Sequence, residues 1–187
     1  SIGGVGLIKD YKKMITMDLK EIDNLVLAIG KTEGHIDQSL FARIILDEKN
    51  GPPPEVNLFN EKNNGESLLE LIEKNYIKSA HDISLGGIIT AISKMCIKGN
   101  KGIELKKSKN LINEIEYFFS EDQGRYLIEV SPKNLGEVTK ILDKNSVHHE
   151  ELGVIIDKDI IISEKTKITI DELKSYNTNW LTNYMES

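Results

Sequence analysis

Blocks of apolar residues separated by polar turns run through most of this chain, and two of them dominate. Residues 25–30 form a continuous apolar run that ends in glycine, which is the pattern of a strand buried on both faces. Residues 88–96 carry apolar side chains at helical spacing and predict a strongly apolar helix that ends near Gly99. We therefore expect these two segments to form the centre of the core.

The remaining blocks predict shorter elements of the same two kinds. Strands are predicted over residues 4–8, 103–105, 125–130, 151–156, 160–163 and 167–170. Helices are predicted over residues 66–75, 111–117, 133–143 and from 170 onwards. Residues 39–46 are predicted to form a short helix, with a strand as the alternative, since periodicity does not separate the two in so short a run.

Local signals refine the helices and turns. The residues expected on the buried face of the 66–75 helix, spaced by three and four, are Leu68, Leu69, Ile72 and Tyr76. Residues 157–158 are interpreted as a hairpin turn between two strands, and Asp171 as the N-cap of the last helix. Residues 51–54, Gly-Pro-Pro-Pro, must be irregular because consecutive prolines lack N–H donors.

Strands and helices alternate loosely, which predicts an α/β (or α+β) class. The chain has 187 residues, enough for one core, and the elements on either side of the proline run are too few for two. We therefore expect residues 1–187 to form a single layered domain.

Composition and charge exclude several classes of protein. Hydrophobic residues make up 39% and charged residues 29%, as in a folded soluble protein, and no apolar run approaches the roughly 20 residues of a membrane span. The net charge of −6 argues against a nucleic-acid partner. The N-terminus lacks a signal-peptide pattern, and the single Cys96 excludes an internal disulfide, so a reducing cytoplasm is expected.

The best candidate for chemistry is the segment 81–87, His-Asp-Ile-Ser-Leu-Gly-Gly, before the apolar helix. Free N–H groups at a helix start attract an anion, and glycines let a ligand approach the backbone. His81 and Asp82 would reach into a cleft from the end of a strand. The alternative is that Ser84 or Asp82 merely caps the helix while Gly86 and Gly87 ease packing.

Two further polar segments are candidates. Residues 32–39, which end in Ser39, form a polar loop after a buried strand, where α/β proteins bind ligands, or else a solvated connection. In residues 120–125, Arg125 would hold a phosphate in a bidentate manner or form a surface ion pair with Glu121. His148 and His149 would face opposite sides of a strand, and Cys96 would be a buried, inert thiol; no metal site is expected.

At these same residues the chain resembles a known family. The matching segments, in order, are residues 2–8 (IGGVGLI), 25–32 (LVLAIGKT), 51–56 (GPPPEV), 81–87 (HDISLGG) and 119–126 (FSEDQGRY). They are similar to the C-terminal domain of AIR synthase-related enzymes, and among them of phosphoribosylformylglycinamidine (FGAM) synthases. One loop departs from the pattern: residues 35–39, HIDQS, keep the serine of the family's ELGGS but lose both glycines.

The resemblance implies a mixed sheet of about four main strands with helices packed on one face. It implies an ATP-dependent ligase of purine biosynthesis in which this chain is a C-terminal fragment, inactive alone. ATP and Mg²⁺ would bind mainly elsewhere in the enzyme, and no cofactor is expected in this domain. The residues implied to bind substrate or phosphate, or to line the cleft, are His81, Asp82, Ser84, Gly86, Gly87, Ser39 and Arg125.

The resemblance also implies partners: the remaining domains of the same enzyme, a glutaminase and small accessory subunits. The isolated domain would be able to form a homodimer, and neither nucleic acid nor membrane is expected as a partner. No catalytic residue is assigned, nor is the domain assigned to the catalytic or the non-catalytic one of the family's two related sites. The rival interpretations are another AIR synthase-like enzyme domain and a stand-alone module that binds an anion or a partner.

A substitution at Gly87 would test directly whether residues 81–87 bind an anion. An aspartate at Gly87 would place a side chain and a negative charge in an anion site. On this interpretation Gly87→Asp impairs turnover more than folding.

Overall fold

The fold is built on a seven-stranded mixed sheet. The structure is a computed structural model that describes residues 3–106, 113–164 and 166–186 of the chain. The strands are β1 (Leu25–Ile29), β2 (Ile77–Ile83), β3 (Gly102–Leu105), β4 (Arg125–Val130), β5 (His149–Ile156), β6 (Ile160–Ser163) and β7 (Thr166–Ile168). Their spatial order is β2-β4-β1-β5-β3-β6-β7. The α/β class is confirmed, and the sheet has seven strands where about four were expected.

Six helices surround this sheet in the described part of the chain. They are α1 (Leu40–Ile44), α2 (Leu58–Glu73), α3 (Gly87–Gly99), α4 (Glu114–Phe119), α5 (Leu135–Lys144) and α6 (Ile170–Glu186). Short 3₁₀ turns cover Tyr11–Lys13 and Pro132–Asn134. The predicted helix over 39–46, the end of α3 at Gly99 and the irregular proline segment are all confirmed.

The central strand β1 separates two hydrophobic cores, as its continuous apolar run predicts. Val26 and Ala28 pack in the core that contains α3, whereas Leu27 and Ile29 pack in the core that contains α2 and α5. Successive side chains of a strand point to opposite faces, so both faces of β1 need a cover. The expectation of helices on one face is therefore wrong, because helices pack on both.

The strand β3 lies between β5 and β6, which corrects the predicted hairpin. β3 pairs antiparallel with β5 and parallel with β6, so the turn at residues 157–158 crosses the start of β3 instead of joining adjacent strands. Ile103 N donates to Asp159 O at 2.9 Å, and a side chain at Gly102 would collide with the backbone of Lys158 and Asp159. The sequence signal for a turn was correct, but the pairing partner was not.

Two helix starts differ from the prediction because other residues cap them. α2 begins at Leu58, where Asn57 Oδ1 accepts from Asn60 N at 3.0 Å, eight residues before the predicted start. α6 is capped by Thr169, whose Oγ1 accepts from Glu172 N at 3.1 Å, while Asp171 lies inside the first turn.

The buried face of α2 also differs. Leu71 is fully buried, with Leu68 and Ile72 packed beside it, whereas Leu69 points to solvent. Of the helix predicted over 111–117, residues 111–112 lie outside the described residues, and α4 begins at Glu114.

The N-terminal residues 3–8 form no strand within the described chain. Val5 and Leu7 are fully exposed, so the strand predicted over residues 4–8 is not part of this sheet. Strand propensity alone does not make a strand, because its N–H and C=O groups need a neighbouring strand as partner.

A buried carboxylate, Glu129 on β4, attaches the segment before β1 to the sheet. Its oxygens accept from the backbone N–H groups of Lys20 and Glu21 at 2.8 and 3.0 Å. They also accept from Asn24 Nδ2 at 2.6 Å and from Ser79 Oγ at 3.1 Å. Because four donors surround a side chain with no exposed surface, the charge is satisfied internally.

Two expectations about single features can be compared with the structure. Cys96 is fully buried in the α3 core, and burial raises the pKa of its thiol to about 12, as expected of an inert cysteine. Within the described ranges, no helix combines the length and the apolar character that crossing a membrane would require.

Candidate functional site

The three polar segments singled out in the sequence meet at one end of the sheet. β1 and β2 both pair antiparallel with β4, so the ends of β1 and β2 lie beside the start of β4. The loop after β1, the turn between β2 and α3, and the residues before β4 are therefore neighbours. Three residues at or just before the start of β4 make most of the contacts between these segments: Glu121, Asp122 and Arg125.

The side chain of Arg125 is buried between two of these segments, with 2% of the residue exposed. Its Nη2 donates to Ser120 O at 2.7 Å, Nη1 to Thr32 Oγ1 at 3.0 Å and Nε to Asp122 O at 3.1 Å. Burial lowers the pKa of the guanidinium, and the Asp122 carboxylate, 3.8 Å from Nη1, opposes the shift. The surface ion pair considered for Arg125 is therefore wrong, because the side chain is inside the protein.

Asp122 holds the loop after β1. One carboxylate oxygen accepts from Glu33 N and Gly34 N, both at 3.1 Å, and the other accepts from His35 N at 3.2 Å. Three successive backbone N–H groups around one anion form a nest, which fixes the loop geometry. Gly34 adopts a φ of 88°, a conformation that favours glycine.

Glu121 caps two helices with a single oxygen. Oε1 accepts from Leu40 N at the start of α1 and from Gly86 N at the start of α3, both at 2.8 Å. The carboxylate thus occupies the position where the sequence predicts an anion before α3. The alternative cap by Ser84 or Asp82 is wrong, since the side chain that binds the Gly86 N–H is Glu121.

Removing this double cap gives the first testable prediction. Glu121→Ala leaves two helix-start N–H groups without their acceptor and is expected to lower the free energy of unfolding by about 2 kcal/mol. Glu121→Gln keeps an acceptor oxygen and should lose less than half of that. Urea denaturation followed by circular dichroism measures both variants.

A matched control comes from a nearby carboxylate. Glu61 lines the larger cavity beside the same region, and its side chain forms no hydrogen bond or ion pair with the described residues. Glu61→Ala should therefore stay within about 0.5 kcal/mol of the parent. Equal stability of Glu121→Ala and the parent chain would contradict the capping role.

His81 and Asp82 lie at the end of β2 and form a pair. His81 Nδ1 lies 3.0 Å from Asp82 Oδ1, and the other ring nitrogen, Nε2, is buried with no hydrogen-bond partner among the described residues. The two side chains pair with each other, and Asp82 remains largely exposed. Burial raises the pKa of Tyr126 on the adjacent strand, and the charges of Glu61 and Asp82 add to this shift.

The loop that departs from the family pattern binds the proline segment instead. Gln38 Nε2 donates to Lys49 O at 2.9 Å and to Gly51 O at 3.1 Å, and His35 Nε2 lies 3.1 Å from Pro52 O. Ser39 is fully buried, and its Oγ caps α1 by accepting from Ala42 N at 3.1 Å. The side chains of this loop therefore hold two segments together at the position where the family's loop has glycines.

Two neighbouring cavities open on this end of the molecule. The larger, about 490 Å³, is lined by Lys31, Glu33, Gly34, His35, Glu55, Asn57, Asn60, Glu61, Asn64, Asp122 and Gln123. The smaller, about 190 Å³, is lined by Asp37, Gln38, Pro54, Ser84, Leu85, Glu121 and Gln123. Gln123 belongs to both, and the smaller cavity draws residues from all three predicted segments.

The larger cavity is polar and carries more acidic than basic groups. Amide side chains from the first turns of α2 face the loop after β1, which suits hydrogen bonds to hydroxyl or amide groups of a ligand. Within residues 3–106, 113–164 and 166–186, no three His, Cys, Asp or Glu side chains converge on a metal position.

Comparison with known families decides the relationship of the chain. The profile described as "AIR synthase related protein, C-terminal domain" matches residues 21–164. The chain belongs to this family. The resemblance drawn from the motifs is thereby confirmed.

Individual relatives of this AIR synthase-related domain agree. The chain is 69% identical over all its 187 residues to phosphoribosylformylglycinamidine synthase subunit PurL of Pelagibacter ubique, and covers 26% of that protein. It is 34% identical over 185 residues to PurL of Bartonella henselae, and covers 25% of it. The chain thus spans about a quarter of the length of the curated relatives it matches.

Solved structures share the fold of this domain. T. maritima PurL complexed with FGAR aligns with a TM-score of 0.71 at 18% identity, over 87% of this chain and 29% of that one. The structure of PurLQS from Thermotoga maritima aligns with a TM-score of 0.69 at 17% identity, over 87% and 28%.

The predicted site residues fall into two groups. Ser84 lines the smaller cavity. The other six residues line neither of these two cavities; they are Ser39, His81, Asp82, Gly86, Gly87 and Arg125. A ligand role for all seven stays a prediction.

Sequence reasoning missed the three structural carboxylates. The sequence suggests Glu121 only as an ion-pair partner of Arg125, and it suggests no role for Asp122 or Glu129. Their N–H partners lie 35 to 109 residues away in sequence, so no local pattern reveals them. The one available signal was the placement of acidic residues beside and within an apolar strand, where a carboxylate needs donors.

Proposed function

We propose that this chain is the C-terminal domain of an ATP-dependent FGAM synthase. The observation that carries the proposal is the 69% identity to Pelagibacter ubique PurL over every residue of the chain. The fold supports the same conclusion, since a PurL complexed with FGAR shares it. Because the chain matches about a quarter of its relatives' length, the reaction belongs to a larger protein.

The proposed reaction converts the amide of formylglycinamide ribonucleotide to an amidine. The amide oxygen attacks the terminal phosphorus of ATP, and ADP leaves. Ammonia then adds to the activated carbon, the phosphate departs with the former amide oxygen, and FGAM and phosphate are released. Ammonia derives from glutamine.

This domain would contribute one wall of the cleft. The convergence of the three polar segments at one end of the sheet supports this role, as does the cavity that all three line. We assign the wall to the seven predicted residues, of which Ser84 lines the smaller cavity. The isolated domain would not turn over substrate, because the ATP and Mg²⁺ sites would lie mainly in other domains.

The proposed partners are the remaining domains of the enzyme, with a glutaminase and small accessory subunits. The structure of PurLQS from Thermotoga maritima, which shares the fold of this chain, supports this choice. A cytoplasmic location is proposed for the whole enzyme, consistent with its purine-biosynthetic role.

A domain exchange tests the function. This chain replaces the matching quarter of Pelagibacter ubique PurL, and phosphate release is measured with ATP, FGAR and ammonium. We expect FGAR-dependent phosphate release within about tenfold of the parent enzyme, since 69% identity preserves most of the cleft wall. The chain alone should release none.

The control separates misfolding from loss of function. The chimera must elute as the parent does and show the parent's thermal unfolding profile before its activity is interpreted, because a multidomain protein need not unfold in a single transition. A folded chimera without FGAR-dependent phosphate release would overturn the proposed function. Micromolar binding of Mg-ATP to the isolated chain in calorimetry would overturn the statement that ATP binds mainly elsewhere.

A further inference from the structure

The larger cavity, of about 490 Å³, is separate from the proposed cleft wall, because none of the seven residues assigned to that wall lines it. One side of this cavity is a face of α2 together with the residue that caps the helix. Residues three and four positions apart lie on the same face of a helix. The lining residues with this spacing are Asn57, Asn60, Glu61 and Asn64. This side of the cavity is therefore a regular row of hydrogen-bonding side chains.

Two acceptors of this row converge near Gly124. Asn64 is 6% exposed, and its Nδ2 donates to Gly124 O at 2.9 Å, which fixes the orientation of the amide. Its Oδ1 accepts no hydrogen bond from the described residues. A Cβ at Gly124 would lie 3.1–3.3 Å from the carboxylate of Glu61, so the absence of a side chain there leaves room for this group. A buried amide oxygen and a carboxylate thus face the cavity without a donor.

The groups of this cavity that could bind an anion are already occupied. The three backbone N–H groups of residues 33–35 donate to Asp122. The first N–H group of α2 with a side-chain partner donates to its cap, Asn57 Oδ1, at 3.0 Å. Lys31 is the one lysine of the lining, and its Nζ pairs with Glu33 Oε1 at 2.8 Å. A phosphate would therefore have to displace an internal carboxylate or amide.

The charges that remain uncompensated in the lining are negative. The side chains of Glu55 and Glu61 form no hydrogen bond or ion pair with the described residues. The other two carboxylates of the lining are paired with Arg125 and Lys31. A ligand of this cavity is therefore expected to bring hydrogen-bond donors and positive charge, because it meets two carboxylates and a buried amide oxygen.

We propose that the larger cavity binds an organic cation, an ammonium or guanidinium group, through Glu61, Glu55 and Oδ1 of Asn64. The N–H donors of such a group match both carboxylate and amide oxygens. Two sources supply this chemistry: a free amine, or a lysine or arginine side chain from another part of a longer protein. The proposal is independent of the proposed function, because it depends only on contacts inside this domain.

A titration with agmatine, which carries an ammonium group at one end and a guanidinium group at the other, tests the proposal. The side-chain amide signals of Asn64 and Gln123 are followed by NMR in the 187-residue chain. We expect saturable shifts with a Kd of about 1 mM or tighter at low salt, and weaker binding as the salt concentration rises. Inorganic phosphate and the uncharged 1,4-butanediol should leave these signals unshifted. Absence of saturable shifts with agmatine, or equal shifts with the diol, would overturn the proposal.

Variants connect the binding to the cavity. Glu61→Gln should weaken agmatine binding at least about tenfold, since it removes the charge and keeps the size, and Glu61→Lys should abolish binding. Circular dichroism establishes that both variants fold as the parent does. Glu137→Gln, at an exposed position of α5 outside the cavity, should bind as the parent does. Unchanged binding by Glu61→Gln, or an equal loss in Glu137→Gln, would contradict the proposal.

The same probe distinguishes the two sources of the cation. Calorimetry measures agmatine binding to Pelagibacter ubique PurL that carries this chain as its matching quarter. Binding to both proteins assigns the cavity to a free amine. Binding to the chain alone but not to the longer protein assigns it to a basic side chain of that protein. Binding to the longer protein with none to the chain alone would overturn the proposal, whether or not the longer protein is active.

Discussion

Replacing Arg125 by Met is expected to destabilise the domain by about 3–5 kcal/mol, because it leaves buried acceptors without their donor. The guanidinium lies inside the protein and binds Ser120 O, Thr32 Oγ1 and Asp122 O. Its loss also removes the charge beside the buried Asp122 carboxylate, 3.8 Å away. Urea denaturation followed by fluorescence of Trp180 and by circular dichroism measures the change.

The second arginine of the chain provides a matched control. Arg43 is exposed and donates one hydrogen bond, to Gln38 Oε1 at 3.2 Å. Arg43→Met should therefore change the free energy of unfolding by less than about 0.5 kcal/mol. If both variants were equally stable, the hydrogen bonds of Arg125 to Ser120, Thr32 and Asp122 would not be important for stability.

Gly87→Ala is expected to destabilise the fold by about 3 kcal/mol or more, and Gly87→Asp to prevent stable folding. Gly87 has a φ of 70°, where a side chain is strained. A Cβ there would lie 2.6 Å from Phe118 O and 2.7 Å from Ser120 O, which are backbone atoms that cannot swing away. Differential scanning calorimetry should show a melting temperature lower by at least about 6 °C for Gly87→Ala.

This expectation replaces the hypothesis that Gly87→Asp impairs turnover more than folding. The control is Gly136→Ala in α5, where no heavy atom lies within 4 Å of a Cβ. Gly136 is the second residue of α5, where alanine should leave stability unchanged or raise it by up to about 1 kcal/mol. A Gly87→Ala protein that melts with the parent would restore the hypothesis of an open anion site.

Local patterns were sufficient where burial is continuous along the chain. β1, β4 and α3 were predicted within one or two residues, because their apolar runs are long and bounded by glycine or proline. The start of α2 was missed because residues 58–65 contain asparagines and a glycine that weaken the helical pattern. The cap at Asn57 determines that boundary, and it is a common turn residue as well.

The strand pairing and the positions of the buried carboxylates could not be predicted from the sequence, for a different reason. The insertion of β3 between β5 and β6 depends on contacts between segments about 50 residues apart. The position of Glu121 at two helix starts requires three separate segments to be in place at once. The sequence therefore indicated which segments converge, but not that an internal carboxylate fills the predicted anion position.

The placement of β3 also has a kinetic consequence for the far side of the sheet. β6 pairs with β3 and β7, and β7 pairs with β6, so in the described chain both depend on β3 for their connection to the central strands. β6 can pair with β3 only after β3 has itself paired with β5, so β6 and β7 can join the sheet only after that pairing has formed. β6 and β7 should therefore be the last strands to form and the first to open, as one cooperative unit.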